Sequence, residues 1–161
     1  MSEPTRTIID TNSVAETEAL GIRLACALDG GMLVTLSGEL GAGKTVFVRG
    51  LACGLNTPPG VVVTSPTYVL LHTYEGGRLM LHHLDLYRMA GGANEFEAAG
   101  LYECFNDPNA VVCVEWPERL SNFNWPADRV QVTIEHHEPQ RRRIILSATG
   151  ERARKTLSQL V

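Results

Sequence analysis

The chain has 161 residues, of which 44% are hydrophobic, so it is long enough for one ordinary domain with a substantial core. Its formal net charge of -4 argues against a protein that grips nucleic acid through its own surface, because neutralising phosphates requires clustered positive charge. We therefore expect a single domain over residues 1–161 that meets nucleic acid only through a partner.

The cysteines and the apolar runs bear on the compartment in which the protein works. The four cysteines show no C-x-x-C pairing and each has apolar neighbours, so we predict small buried side chains. The sequence does not start with a basic segment followed by an apolar run, and it has no stretch of ~18 uninterrupted apolar residues. These features predict a cytoplasmic protein without a membrane segment.

The first half of the chain predicts a strand, a helix, a second strand and a second helix. Residues 5–9 form the first strand, and residues 14–28 form a helix whose apolar side chains share one face. Residues 32–36 read MLVTL, an apolar run of strand length that is typical of a strand covered on both faces. A glycine-rich segment follows at once and leads into a helix over residues 45–55.

The second half predicts a hairpin, a helix, a buried strand, a second hairpin and a final helix. The predicted bounds, in that order, are residues 69–74 with 78–84, 95–105, 110–114, 130–134 with 142–146, and 151–160. Asn94 is the predicted N-cap of the middle helix. The elements together predict an α/β fold with a central mixed β-sheet flanked by helices.

Residues 38–45 read GELGAGKT and match the phosphate-loop pattern G-x-x-x-x-G-K-[ST]. In this pattern the glycines let backbone N–H groups turn towards phosphate oxygens, Lys44 reaches the terminal phosphates and Thr45 binds magnesium. The loop opens a helix, whose unpaired N–H groups and dipole also attract an anion. We therefore predict a nucleotide site here, in a P-loop NTPase-like domain.

Two acidic residues follow predicted buried strands and are candidates for the same site. Glu115 is placed to hold magnesium, directly or through water. Asp85 could orient or deprotonate an attacking water or support the metal, but it could equally cap its strand, and the residues alone leave both open. His82 and His83 point to opposite faces of a strand, so we expect packing and hydrogen bonding from them rather than a metal pair.

Three further features suit a nucleotide site but also have ordinary explanations. Thr67 lies in the loop after the second helix, where a hydroxyl could reach the γ-phosphate and magnesium as a switch threonine does. The three arginines at 141–143 could bind phosphate or adenosine, or form a solvated hairpin end. Trp116 and Trp125 are more often packing residues than readers of a base.

Four motifs in colinear order resemble the small bacterial TsaE proteins (older name YjeE), the ATPase component of tRNA threonylcarbamoyladenosine biosynthesis. They are GELGAGKT at 38–45, SPTY at 65–68, HLDLYR at 83–88 and VEWPE at 114–118. The last three are far more specific than a phosphate loop, and the resemblance extends over nearly the whole chain. It departs at residues 89–96, MAGGANEF, where relatives usually carry a more acidic segment, and this loosens any expectation about partner contacts there.

The resemblance implies ATP and Mg²⁺ as ligands and gives individual residues a role. The implied catalytic residues are Lys44 on the phosphates, Asp85 for hydrolysis and Thr67 as the switch-like threonine. Magnesium would be held by Thr45 and Glu115. The residues implied at the nucleotide are Gly38, Glu39, Gly41, Ala42, Gly43, Lys44, Thr45 and Val46, then Trp116 as a neighbour, and Thr17 and Arg141 near the adenosine end.

Members of that family act on a heterodimer of two larger proteins, of TsaB and TsaD type, one of which transfers the threonylcarbamoyl group to the adenosine beside the anticodon. The resemblance implies a slow, partner-stimulated ATPase that resets this complex between turnovers and meets tRNA only through it. Two alternatives stay open. A small-molecule P-loop kinase would need a phosphoacceptor pocket and usually a lid, and a non-catalytic sensor would use ATP only to select a conformation.

Overall fold

The computed structural model describes residues 5–66 and 68–161, and within them a seven-stranded sheet forms the centre of the molecule. The strands are β1 (Thr5–Thr11), β2 (Leu33–Ser37), β3 (Leu71–Tyr74), β4 (Met80–Asp85), β5 (Ala110–Glu115), β6 (Arg129–His136) and β7 (Arg142–Thr149). The helices are α1 (Val14–Ala27), α2 (Lys44–Gly54), α3 (Gly92–Ala98) and α4 (Glu151–Ser158), with 3₁₀ helices at Leu101–Asn106 and Pro117–Arg119.

The strands follow the order β1-β7-β6-β2-β5-β4-β3, and the sheet is mixed. The four central strands β6, β2, β5 and β4 run parallel to one another. The pairs β1 with β7, β7 with β6, and β4 with β3 are antiparallel. This confirms the predicted α/β fold with a mixed sheet. It also brings the carboxyl ends of β2, β5 and β4 together at one edge, where open α/β folds collect their ligands.

Strands β2 and β5 are buried on both faces, as their apolar runs predict. On β2, Val34 and Leu36 belong to the core cluster beneath α1, α2 and α4, whereas Leu33 belongs to the cluster beneath α3 and the 3₁₀ helix Leu101–Asn106. Successive residues of a strand point to opposite faces, so the apolar side chains of β2 contribute to both cores.

Helices α1 and α2 cross at a contact that only glycine allows. A Cβ atom on Gly50 would lie 2.2 Å from the carbonyl oxygen of Glu18 and 3.0 Å from the Cα of Gly21. We therefore expect Gly50→Ala to lower the free energy of unfolding by about 1–3 kcal/mol, the usual cost of overpacking. Urea denaturation followed by circular dichroism measures this change.

The matched control for that substitution is Gly60→Ala, because a Cβ atom on Gly60 meets nothing within 4 Å. We expect this variant to unfold within about 1 kcal/mol of the wild type. Equal stability of the two alanine variants would show that the helix crossing tolerates a side chain.

The predicted helix over residues 95–105 is wrong in its extent and in its cap. Helix α3 begins at Gly92 and ends at Ala98, and Gly100 then takes a left-handed conformation with φ of 72° that breaks the helix. Asn94 lies inside the first turn instead of capping it. The N-cap is Gly91, whose backbone N–H donates to the Glu95 carboxylate at 2.7 Å.

The prediction that all four cysteines are buried is also wrong. Cys26 and Cys53 are exposed, Cys104 is half-buried, and Cys113 is buried, although all four are free thiols. Burial raises the pKa of the Cys113 thiol well above its usual value. Apolar neighbours in sequence do not decide which face of a helix a side chain takes, and this misled the prediction for α1 and α2.

In the described ranges, no helix has the length and apolar character to cross a membrane.

Candidate functional site

A cleft of about 440 Å³ opens at the edge where β2, β5 and β4 end. Its walls come from the loop after β2, from the first turn of α2 and from the ends of β4 and β5. The predicted site residues that line it are Gly41, Gly43, Lys44, Thr45, Val46, Asp85, Glu115 and Trp116, together with Leu40, Ser65 and Tyr87. Thr67, the predicted switch threonine, lies outside the described residues.

The glycine-rich loop (residues 38–43) needs glycine at three positions, two because of their backbone conformation and one because of a close contact. Gly41 and Gly43 take left-handed conformations with φ of 79° and 109°. A Cβ atom on Gly38 would lie 2.7 Å from the carbonyl oxygen of Ile134. Gly43 is the N-cap of α2 and carries no side-chain cap, so the first N–H groups of the helix are left for a ligand. An uncapped helix start at the end of a buried strand suits an anion.

Lys44 is the first residue of α2, and its side chain returns over the loop. It is 6% exposed, and Nζ donates to the carbonyl oxygens of Gly38 at 2.5 Å and Glu39 at 2.9 Å. Burial lowers the pKa of the Lys44 ammonium, while the negative charge of Glu115 acts in the opposite direction. Nζ also lies 4.3 Å from the centre of the Trp116 ring. A buried cation is thus held at the loop by carbonyl oxygens and one aromatic face.

Asp85 and Glu115 end neighbouring parallel strands and stand opposite each other in the register. Asp85 is 4% exposed, and its carboxylate accepts hydrogen bonds from the Ser65 hydroxyl and, at 2.9 Å, from the backbone N–H of Tyr87. Glu115 is 2% exposed and contacts His83. The strand ends therefore bring both predicted carboxylates to one cleft with Lys44, as the sequence indicated.

His82 and His83 point to opposite faces of β4 and make hydrogen-bond contacts there, as predicted. His82 lies between the Thr73 hydroxyl, 2.9 Å from Nδ1, and the Asp107 carboxylate, 3.0 Å from Nε2. His83 points to the other face, where Nε2 lies 2.6 Å from Oε2 of Glu115.

The donor set of the cleft fits magnesium. The Thr45 hydroxyl and the carboxylates of Asp85 and Glu115 supply oxygen atoms, which are the ligands Mg²⁺ prefers. In the described part of the chain, no three His, Cys, Asp or Glu side chains form a metal-binding group. Magnesium usually takes one or two carboxylates and completes its shell with water and substrate phosphates, so it does not require a group of three such side chains.

Trp116 forms a second wall of the cleft. Its backbone is left-handed, with φ of 59°, directly after Glu115. Its ring lies 5.0 Å from the Tyr87 ring, and the Arg119 guanidinium lies within 6 Å of the centres of both rings. Trp116 is thus placed beside the glycine-rich loop and also packs against the core cluster beneath α3, whereas Trp125 packs against that cluster beside Phe123 and does not line the cleft.

The two residues implied at the adenosine end are in different places. Thr17 is buried, donates to the Ser13 carbonyl oxygen at 3.3 Å, and lines a small crevice behind Gly43. Arg141 is exposed, pairs with Glu138 at 3.8 Å, and lines a different surface cleft. The structure does not bring Arg141 to the crevice, so its role at the nucleotide stays a prediction.

The arginine that lies against the loop is Arg142, which the sequence reasoning did not single out. Its Nε donates to the carbonyl oxygen of Ala42 at 2.6 Å, and its side chain lines the crevice with Thr17 and Gly43. The strand alternation could have found it, because Arg142 lies on the same face as the buried residues Ile144 and Leu146 of β7. The N–H of a trans peptide points away from its C=O, so this bond also orients the N–H of Gly43.

We expect Arg142→Ala to weaken nucleotide binding about tenfold and to lower the free energy of unfolding by about 1–3 kcal/mol, because it removes a charge-assisted hydrogen bond to the loop. Isothermal titration with ADP and urea denaturation measure the two effects. The control is Arg141→Ala, which removes only an exposed ion pair worth less than about 1 kcal/mol. If the two variants behave alike, Arg142 does not organise the loop.

Fold and site together define an α/β protein in which a glycine-rich loop opens a helix beside two buried carboxylates at the carboxyl edge of a mixed sheet. The family model described as "Threonylcarbamoyl adenosine biosynthesis protein TsaE" matches residues 11–145. The chain therefore belongs to the TsaE family.

Named relatives and a solved structure agree with this assignment. The chain is 37% identical over 137 residues, covering 85% of this chain and 82% of the relative, to the tRNA threonylcarbamoyladenosine biosynthesis protein TsaE of Bacillus subtilis. It is 48% identical over 101 residues to the TsaE of Streptomyces coelicolor, covering 62% of this chain and 66% of that protein. A crystal structure of Bacillus subtilis YdiB superposes with a TM-score of 0.78 and 30% identity, covering 99% of this chain and 97% of that one.

Proposed function

We propose that this protein binds ATP with Mg²⁺ in the cleft, hydrolyses it slowly, and serves the formation of threonylcarbamoyladenosine in tRNA. The observation that carries the proposal is the uncapped start of α2, which faces the same cleft as Lys44 and the two buried carboxylates. Amide donors, one cation and two carboxylates are the groups that phosphoryl transfer requires, because its catalysis depends mainly on positioning and charge.

Each group has a distinct task in this proposal. The N–H groups of the glycine-rich loop and of the first turn of α2 bind the phosphate oxygens, and Lys44 exchanges its carbonyl partners for the terminal phosphates. Thr45 and Glu115 would hold Mg²⁺, which would neutralise charge on the β- and γ-phosphates.

Asp85 would orient the attacking water and accept a proton from it. The Ser65 hydroxyl and the Tyr87 N–H fix its carboxylate, so the acceptor is positioned before substrate arrives. Trp116 and Thr17 would flank the nucleotide, and the proposed switch role of Thr67 follows from the SPTY motif alone.

The biological setting follows from the relatives, which are named for tRNA threonylcarbamoyladenosine biosynthesis. A protein with a net charge of -4 is poorly suited to neutralise tRNA phosphates, so contact with tRNA would be made by partners. We infer that the partners are the TsaB- and TsaD-type heterodimer, that hydrolysis resets this complex between turnovers, and that the setting is cytoplasmic.

The test is phosphate release from ATP with magnesium, measured for the protein alone and with the two partner proteins and tRNA, alongside formation of the modified nucleoside. We expect slow turnover alone, stimulation by the partners, and modification that depends on hydrolysis. Transfer of labelled γ-phosphate to a metabolite without partners would indicate a kinase. Modification that requires ATP but proceeds without any hydrolysis would indicate a sensor.

A further inference from the structure

His83 lies beneath the two carboxylates of the cleft, on the same face of the sheet. It precedes Asp85 by two residues on β4, and in the parallel register it stands opposite Cys113, which precedes Glu115 by two residues on β5. The side chain is 0% exposed. The imidazole therefore belongs to the protein layer behind the site, where a ligand does not reach it.

The protonation pattern of this imidazole follows from its contacts. Nε2 lies 2.6 Å from Oε2 of Glu115, and Nδ1 is buried without a hydrogen-bond partner among the described residues. A proton on Nδ1 alone would leave two acceptors facing each other at 2.6 Å and a buried N–H unpaired. The tautomer with its proton on Nε2 avoids both costs, so His83 donates to Glu115.

This hydrogen bond sets the orientation of the Glu115 carboxylate. The His83 ring is itself confined, because it is fully buried and the Tyr74 ring lies 6.2 Å away at a tilt of 32°. Glu115 lines the cleft, and since Oε2 is engaged behind it, Oε1 is the oxygen available to a ligand. A fully buried donor therefore decides which carboxylate oxygen the cleft presents.

We propose that His83 is a positioning residue for the divalent cation: it holds Glu115 so that Oε1 is presented to the Mg²⁺ that accompanies the nucleotide. The inference rests on the proposed function. Outer hydrogen bonds that orient metal-binding side chains typically change metal affinity about 10–100-fold. Loss of this donor should weaken the cation without removing the loop contacts to phosphate.

Two amide substitutions of different length separate this role from simple packing. In His83→Gln the amide nitrogen ends near the position of Nε2, whereas in His83→Asn it ends near Nδ1 and does not reach Glu115. Mn²⁺ affinity of the ADP-loaded protein is measured by electron paramagnetic resonance, and ADP affinity in EDTA by calorimetry. We expect His83→Asn to lose about 10–100-fold in Mn²⁺ affinity, His83→Gln to lose less than about threefold, and both to keep metal-free ADP binding.

The matched control is His82→Asn, because His82 pairs with Asp107 on the opposite face of the same strand. We expect its Mn²⁺ affinity to equal that of the wild type. Equal Mn²⁺ affinities of the two His83 variants would overturn this inference but not the proposed function. A wild type that binds ADP but no Mn²⁺ would also overturn this inference. A wild type that binds neither would remove the proposed function as well.

A measurement on the wild type makes the test independent of variant folding. Long-range ¹H–¹⁵N correlation spectra distinguish the two tautomers of a buried imidazole. We expect the His83 proton on Nε2, and a proton found only on Nδ1 would overturn the inference.

Discussion

Lys44→Ala is expected to lower ATP affinity about 10–100-fold, the largest loss of affinity expected from a single substitution in the cleft, and to reduce hydrolysis by about 10²–10³-fold. The ammonium is buried at the loop and lies within 3 Å of two loop carbonyl oxygens. Alanine removes the one side-chain cation of the glycine-rich loop and the first turn of α2, so the phosphates would depend on amide donors alone. Calorimetric titration with ATP and magnesium measures the affinity, and phosphate release measures hydrolysis.

The chain offers a matched control for this substitution. Lys155 is its only other lysine, and it is exposed on α4. Lys155→Ala should bind and hydrolyse ATP as the wild type does, and both variants should unfold cooperatively. If Lys44→Ala binds ATP with unchanged affinity, the glycine-rich loop is not the phosphate site.

Asp85→Asn is expected to reduce hydrolysis by about 10²–10⁴-fold while ATP affinity changes less than about threefold. Asparagine has nearly the same shape and can still accept from the Tyr87 N–H, but it is a far weaker proton acceptor and lacks the negative charge. Single-turnover phosphate release and equilibrium binding separate the two effects.

Asp29→Asn is the control, because Asp29 is exposed in the connection between α1 and β2, away from the cleft. It should leave both quantities unchanged. An Asp85→Asn protein that turns over ATP at the wild-type rate would exclude Asp85 from the chemistry. If the Asp85→Asn protein supports full tRNA modification without hydrolysing ATP and the Lys44→Ala protein does not, the result would favour a non-catalytic ATP sensor.

The main elements of the fold could be predicted because local signals agree with the tertiary structure. The apolar runs that became β2 and β5 are long enough to supply both core layers, and the glycine-rich loop between β2 and α2 is a local motif. The predicted helix after β4 is too long. Residues 101–106 carry side chains that are compatible with a helix, but Gly100 takes a left-handed conformation that ends it. A glycine at such a position permits a break but does not require one.

The convergence of the site residues could be predicted, but their supporting contacts could not. Asp85 and Glu115 each follow a buried strand, so a parallel sheet brings them to one edge. The Arg142 bond to Ala42 joins residues 100 positions apart, and the His83 bond to Glu115 joins residues 32 apart. Such contacts depend on strand order and register, which a single sequence does not determine. The sequence also contains three adjacent arginines, and only strand alternation distinguishes Arg142 from Arg141.

A crystal structure with a non-hydrolysable ATP analogue and Mn²⁺ tests the central claim most directly, because the anomalous signal of Mn²⁺ locates the cation independently of the nucleotide. We predict the β- and γ-phosphates on the glycine-rich loop and Lys44, with the Mn²⁺ peak beside Thr45 and Glu115. Phosphates bound elsewhere, or a cation peak away from these two residues, would contradict the account.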